Sequence, residues 1–201
     1  MVEPNEIEGY LLRRRIVALG QIDEKESSRV LFNLIRLQLD SSEPSYLIID
    51  STGGSLYHAM VLYDAIEHAF TMDVHGIVHG DCMSAATFVL LACKQRLAMP
   101  HARFLIHSGS LSNITIKTDD LTSQKLEWLK SEIEEGTQMV TALYRKKLGK
   151  SPDEIKQYIA RGDQQFHATF HAQEALEMGL ITGIVEGKLP FFPPLETQRS
   201  G

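Results

Sequence analysis

Ser84 stands in His79-Gly80-Asp81-Cys82-Met83-Ser84-Ala85-Ala86, a serine among small residues where an apolar stretch gives way to a helical pattern. A hydroxyl at such a junction sits beside the positive end of a helix, with the following N–H free to donate, which suits a nucleophile. His107 closes Phe104-Leu105-Ile106-His107, a base at the end of an apolar strand. Asp50-Ser51-Thr52-Gly53-Gly54 follows a third apolar run. Its glycines can aim backbone N–H groups at an anionic oxygen with no side chain in the way. Singly, each feature has an ordinary reading as a turn, a helix cap or a structural histidine. In one domain and in this order they supply donor, nucleophile and base for acyl transfer.

The elements that must carry these residues follow from pattern. Arg15 to Gly20 is a short apolar run closed by glycine. The segment from Asp23 opens with acidic first-turn residues and places Val30, Leu31, Leu34, Ile35 and Leu39 at helical spacing up to Ser41-Ser42-Glu43-Pro44. The same alternation gives strand 46–49, helix 55–70, strand 74–78, helix 83–93 and strand 103–107, which predicts an α/β domain with parallel pairing. Ser110 to Thr118 is polar and β-branched and reads as an exposed hairpin or arm. Asp119 to Leu148 reads as one long helix whose apolar face includes Leu126, Trp128, Leu129, Ile133, Met139, Val140, Leu143 and Tyr144. That face can pack on its own domain or against another subunit. A short helix opening at Ser151-Pro152-Asp153-Glu154, another over 171–178 and a strand over 180–185 complete the unit. The proline-rich segment from Leu189 to Pro194 reads as an extended tail. One domain over 1–201 is expected, with a short N-terminal segment (1–13) and a tail (188–201).

Composition narrows the function. The chain has 201 residues, is 43% hydrophobic and carries a formal charge of −6, enough for a substantial core and without a basic surface for a nucleic-acid backbone. No apolar run reaches the roughly 20 residues needed to span a bilayer, and the acidic start lacks the architecture of a secretory signal, so a cytoplasmic protein is expected. Cys82 and Cys93 have no ligand spacing and read as reduced, packed thiols; no metal is expected. No GxxxxGK[ST] sequence occurs, so any ATP use must fall to a partner.

At these residues the chain resembles the Clp protease proteolytic-subunit family. Asp50 to Ser55 is similar to the family's strand-end Asn-Ser-Pro-Gly-Gly pattern, and Gly80 to Ala86 to its glycine-led nucleophile segment. Met99-Pro100-His101-Ala102-Arg103-Phe104-Leu105-Ile106-His107 resembles its Leu-Pro, two residues, Arg, apolar pair, Ile-His run, and Glu174 to Ile181 its Glu-Ala, two residues, Tyr-Gly-Leu-Ile/Val segment. The resemblance spans about Arg15 to Val185. It implies a crotonase-like fold with a protruding handle helix and two stacked heptameric rings enclosing the sites. It also implies polypeptide substrates and an ATP-driven unfoldase as partner, with no cofactor in this chain. It assigns Ser84 as nucleophile, His107 as base, and the N–H groups of Gly54 and Ala85 as the oxyanion hole. Ser110 to Thr118 would pair with extended peptide.

The resemblance places the third triad member, an aspartate, shortly before the Glu174-Ala175 helix; Asp163, in Arg161-Gly162-Asp163, is the expected residue, against a non-acidic partner at His167, where counting back without gaps lands, or no third partner at all. Thr52 and Asp50 depart from the family's proline and asparagine. Residues 108–112 lack its proline and most of its glycines, and the stretch before Arg15 is shorter than the family's axial-pore hairpin. Two other classes remain open: a catalytically inactive ring subunit that regulates an active paralogue, and a crotonase-type acyl-CoA enzyme.

Overall fold

A computed structural model of the chain describes residues 4–108, 122–163 and 169–189. Among the described residues seven strands form one sheet: β1 (Ile16–Leu19), β2 (Ser45–Ser51), β3 (Val74–Met83), β4 (Gln95–Ala98), β5 (Arg103–Leu105), β6 (Phe170–His171) and β7 (Gly183–Ile184). The order β1-β2-β3-β4-β7 is parallel throughout, and β5 adds parallel to β3 and antiparallel to β6. Helices α1 (Pro4–Leu12), α2 (Glu24–Asp40), α3 (Leu56–Asp64), α4 (Ala86–Ala92), α5 (Ser123–Leu148), α6 (Pro152–Asp163) and α7 (Ala172–Met178) connect or flank the strands, with a π-helical turn, Ala65–Ala69, extending α3. Leu47, Ile49, Val74, Val78 and all of α4 are buried, as expected for parallel strands covered by helices.

Local chemistry fixes several of these boundaries. The Asp23 side chain accepts from Glu26 N at 2.7 Å to start α2, and Thr122 accepts from Lys125 N at 3.2 Å to start α5. Helix α5 ends on Gly149 in the left-handed conformation, with Arg145, Lys146 and Lys147 in the last turn where they complement the helix dipole.

The expected strand–helix alternation is present, with four differences of physical origin. First, β3 continues to Met83 instead of ending at Val78, because its second half gains β5 as a partner: Asp81, Cys82 and Met83 pair with Arg103, Phe104 and Leu105. The helix expected from 83 therefore begins at Ala86. Second, β4 has no signal in the sequence pattern: Gln95-Arg96-Leu97-Ala98 does not alternate and is a strand because β3 and β7 flank it. Third, residues 4–12 of the N-terminal segment form helix α1, tied to α2 by Glu8, whose Oε1 accepts from Arg29 Nη1 at 2.7 Å and Asn33 Nδ2 at 2.9 Å. Fourth, the strands expected over 103–107 and 180–185 are shorter, at Arg103–Leu105 and Gly183–Ile184. Ile106 and His107 are thereby released from the ladder. The arm at 110–118, the first residues of the expected long helix (119–121), His167 and the tail from 190 lie outside the described residues.

Candidate active site

Ser84, His107 and the Gly53-Gly54 turn all follow the carboxyl ends of parallel strands, where open α/β sheets place ligands. Pairing of Met83 with Leu105 sets the register: Ser84 comes one residue past β3, and His107 two residues past β5. Ser84 N donates to Leu105 O at 2.8 Å, so the ladder's last bond ties the serine to the strand that delivers the histidine. His107 Nε2 then lies 2.6 Å from Ser84 Oγ.

Ser84 is not simply the first residue of a helix. Its φ is +52°, a left-handed conformation uncommon for a residue with a side chain and characteristic of sharp functional turns. The turn lifts the hydroxyl between β3 and α4, two residues before the helix begins.

The Gly53-Gly54 turn packs directly against it. A Cβ at Gly53, whose φ is +95°, would come within 2.7 Å of Met83 O and 2.8 Å of Ser84 Cβ; one at Gly54 would strike Ile22 O at 2.1 Å. Only glycine lets this backbone touch the serine turn on one side and Ile22, two residues before α2, on the other. Ile22 N donates to Gly53 O at 2.8 Å, Ser55 N donates to Ile22 O at 2.9 Å, and the buried Ser51 Oγ accepts from Gly53 N at 3.1 Å, so the turn is held from three directions.

An irregularity in β3 aims this end of the strand. Between the pairs Ile49–Val78 and Ser51–Cys82 the register shifts, leaving β3 longer than β2. Asp50 fills the bulge: its Oδ1 accepts from Asp81 N at 2.9 Å, and a Cβ at Gly80 would lie 2.4 Å from that oxygen. Asp81 in turn takes a two-pronged bond from Arg103 on β5, 2.8 Å at each oxygen, which supports the pairing that delivers His107.

Asp163 ends α6 beside the histidine. Its Oδ1 accepts from Ser108 N at 2.9 Å and from Ser108 Oγ at 3.0 Å, so these contacts fall on the residue following His107. Sequence reasoning missed its neighbour Gly162. A Cβ there would sit 1.6 Å from Ile106 O and 3.3 Å from His107 Cα, so the end of α6 touches the main chain that carries His107. The signal available was a glycine inside an otherwise helical pattern, which costs helix stability unless close packing requires it. Arg161 fixes this end of α6 by donating to Glu174 Oε1 and Thr169 O, both at 2.8 Å. The Arg161 guanidinium holds the Glu174 carboxyl below its usual range.

Cys82 and Cys93 are free and fully buried; burial raises both thiols, Cys93 to about 12, so neither is a thiolate nucleophile at neutral pH. Among the described residues no group of His, Cys, Asp and Glu side chains is arranged to hold a metal ion, and no helix is long and apolar enough to cross a membrane.

A serine hydroxyl at hydrogen-bond distance from an imidazole, beside a glycine turn at the end of a parallel sheet, is an arrangement able to support acyl transfer of the hydrolase type. Residues 3–188 match the Clp protease family. The chain is 31% identical over 193 residues to ATP-dependent Clp protease proteolytic subunit 1 of Prochlorococcus marinus subsp. pastoris, covering 91% of this chain and 89% of that protein. It is 31% identical over 180 residues to subunit 1 of Rhodococcus jostii, covering 88% and 77%, and 29% identical over 180 residues to the proteolytic subunit of Helianthus annuus, covering 88% and 86%. The chain belongs to the Clp protease family and is a serine endopeptidase of that type.

Proposed function

We propose that Ser84 is the nucleophile and His107 the general base of a compartmentalised peptidase that cleaves unfolded polypeptides and short peptides. The 2.6 Å contact between His107 Nε2 and Ser84 Oγ carries this reading. His107 takes the hydroxyl proton as Oγ attacks the scissile carbonyl. The N–H groups of Gly54 and Ala85 receive the resulting oxyanion. Protonated His107 then gives its proton to the leaving amine, and water admitted to the acyl-enzyme repeats the sequence to release the acid. No step needs a cofactor in this chain.

Asp163 is the proposed orienting group for His107. Its hold on Ser108 and the close contact of Gly162 with Ile106 and His107 support that role, since both fix the segment bearing the imidazole. The third residue of such a site keeps the base in the needed tautomer and stabilises the imidazolium.

We further propose a single crotonase-like domain, with α5 as a handle between two stacked heptameric rings and an ATP-driven unfoldase feeding the chamber in the cytoplasm. The relatives' names, proteolytic subunits of an ATP-dependent protease, support the partnership. The exposed apolar residues of α5 support a covered handle.

The test is to treat the purified chain with a fluorophosphonate and weigh it intact, alongside light scattering. One adduct per chain, lost in Ser84→Ala, is expected, on a particle far heavier than the 22.6 kDa chain. Labelling that survives Ser84→Ala sinks the assignment of Ser84. A correct ring that takes no label is the result expected of an inactive regulatory subunit, and a stable monomer contradicts the compartment.

A further inference from the structure

Behind the nucleophile lies a line of buried hydroxyls that the acyl-transfer steps do not use. Helix α4, Ala86-Thr87-Phe88-Val89-Leu90-Leu91-Ala92, is buried throughout, and Thr87 is its one hydrogen-bonding side chain, with 0% exposure. A hydroxyl in such surroundings is costly unless it is bonded. Thr87 Oγ1 donates to Ser84 O at 2.6 Å and meets Tyr144 Oη, from α5, at 2.5 Å. Thr87 N also donates to Ser84 O, at 3.0 Å. Thr87 has one hydroxyl proton, and it goes to Ser84 O; the proton of the other contact therefore comes from Tyr144. The order is Tyr144 O–H to Thr87 Oγ1, then Thr87 O–H to the Ser84 carbonyl. Tyr144 is 1% exposed and its ring packs on Phe88 at 5.1 Å, so the start of the line is fixed as well. Burial raises the Tyr144 hydroxyl above its ordinary value, which keeps it protonated and donating across the working pH range.

The carbonyl at the end of this line has a partner in its own peptide group. Ser84 C=O and Ala85 N–H are the two ends of one planar trans peptide and point in opposite directions. Ser84 has φ +52°, where a serine is poorly held by its own backbone preferences, so the plane of that peptide needs an external hold. Two donors on the carbonyl supply it and, by drawing charge toward the oxygen, make the N–H at the far end a stronger donor.

We infer that Thr87 and Tyr144 are positioning residues for the oxyanion hole: the Tyr144–Thr87 hydroxyl line clamps the Ser84 carbonyl and thereby aims the Ala85 N–H at the tetrahedral intermediate. The inference rests on reading Ser84 as nucleophile and Ala85 N–H as an oxyanion donor. Neither side chain touches substrate, so their removal should spare ground-state binding and weaken binding of tetrahedral species.

The experiment uses the assembled full-length protein in five forms: wild type, Thr87→Val, Tyr144→Phe, Thr87→Ser and the double variant Thr87→Val with Tyr144→Phe. Each is measured for kcat and KM on a short fluorogenic peptide, per site titrated with fluorophosphonate, and for affinity to a peptide boronate, whose tetrahedral adduct occupies the hole. Thr87→Val should lower kcat by about 10- to 100-fold with KM within about twofold, and weaken the boronate by a similar factor, short of losing a whole donor. Tyr144→Phe should lose less, about 3- to 10-fold, because Thr87 still reaches the carbonyl. Thr87→Ser retains the hydroxyl and should recover most of the rate. The double variant should be no worse than Thr87→Val, since the two side chains act in series.

A merely structural role would lower the melting temperature while leaving kcat per titrated site and boronate affinity at wild-type values, and that result overturns the inference. If Thr87→Val fails to assemble, Tyr144→Phe, which removes a single oxygen, decides on the same readouts. A wild-type protein that takes no label at Ser84 refutes the reading of the site itself, whereas a labelled wild type with unaltered variants refutes this inference alone.

Discussion

The turn around Ser84 and the outer length of α5 are built on opposite principles. At the turn, backbone meets backbone within ordinary contact distance, the glycines at 53, 54, 80 and 162 leave no room for a Cβ, and the hydrogen bonds hold their partners from several sides. Along α5 from Leu126 to Met139, large apolar residues face outward: Leu126, Ile133, Met139 and Trp128, the last 52% exposed. Leu129 is the buried exception in this stretch, and toward the C-terminal end Val140 and Tyr144 join the main core cluster beside α4. The difference teaches where the chain completes itself. Ser84, His107 and the glycine turn are brought together within one chain, whereas the outward apolar side chains along this part of α5 have no cover within it.

The sharpest way to break this contrast is at the base. Asp163→Asn keeps an oxygen for Ser108 and removes the charge. Turnover should fall by orders of magnitude, toward the roughly 10⁴-fold loss seen when a triad carboxylate is made neutral, while the particle's mass stays the same. Near-normal turnover, together with loss in His167→Ala, would move the orienting role to His167.

Next in size is Gly53→Ala. Its Cβ would press on Met83 O at 2.7 Å and Ser84 Cβ at 2.8 Å, at a φ of +95° that disfavours any side chain. The displaced turn should cost about 10²- to 10³-fold in kcat, comparable to loss of an oxyanion donor. Steady-state kinetics on a short peptide would read it; an unchanged kcat would mean that the turn tolerates displacement and that the site is less tightly built than its contacts imply.

The other side of the contrast is tested by Trp128→Glu. If a neighbouring subunit covers this face, removing the aromatic anchor should weaken assembly by about 2 kcal/mol or more per contact, the scale of a buried interface hot spot. Sedimentation velocity across a dilution series would show smaller species at higher protein concentration than for wild type. An unaltered profile would mean that this part of α5 faces solvent in the assembly.

The smallest expected effect concerns acid. Arg161 keeps the Glu174 carboxyl below its ordinary value of 4.5, so the folded state binds this proton more weakly than the unfolded chain does. The pair therefore contributes stability above about pH 4.5 that is lost as pH falls through the lowered value. Glu174 is largely solvated, so the effect is modest. Melting curves of wild type and Glu174→Gln should converge as pH drops below about 4.5, and a constant gap down to pH 3 would contradict the linkage.

How much of this was legible beforehand depends on the range of the interactions involved. Strand–helix alternation, the α2 cap at Asp23 and the glycine turn are local, and the pattern of residues within each segment is enough to place them. The pairing of Ser84 with His107 could be anticipated from order and resemblance. Their 2.6 Å contact could not, because it depends on the register of β3 against β5. Strand β4 exists because β3 and β7 flank it, and β3 runs on to Met83 because β5 pairs with its second half.

By itself, then, the sequence determined a parallel α/β unit with a serine, a histidine and a Gly-Gly turn at strand ends, since periodicity and turn chemistry act over a few residues. The left-handed φ of Ser84, the hydroxyl line from Tyr144 through Thr87, and the contact of Gly162 with the main chain of His107 were decided by the tertiary structure. Thr87 and Tyr144 lie 57 positions apart in sequence, and nothing in either neighbourhood marks the other. What joins them is the packing of α5 on α4, a free energy summed over the whole buried core and carried by no local pattern.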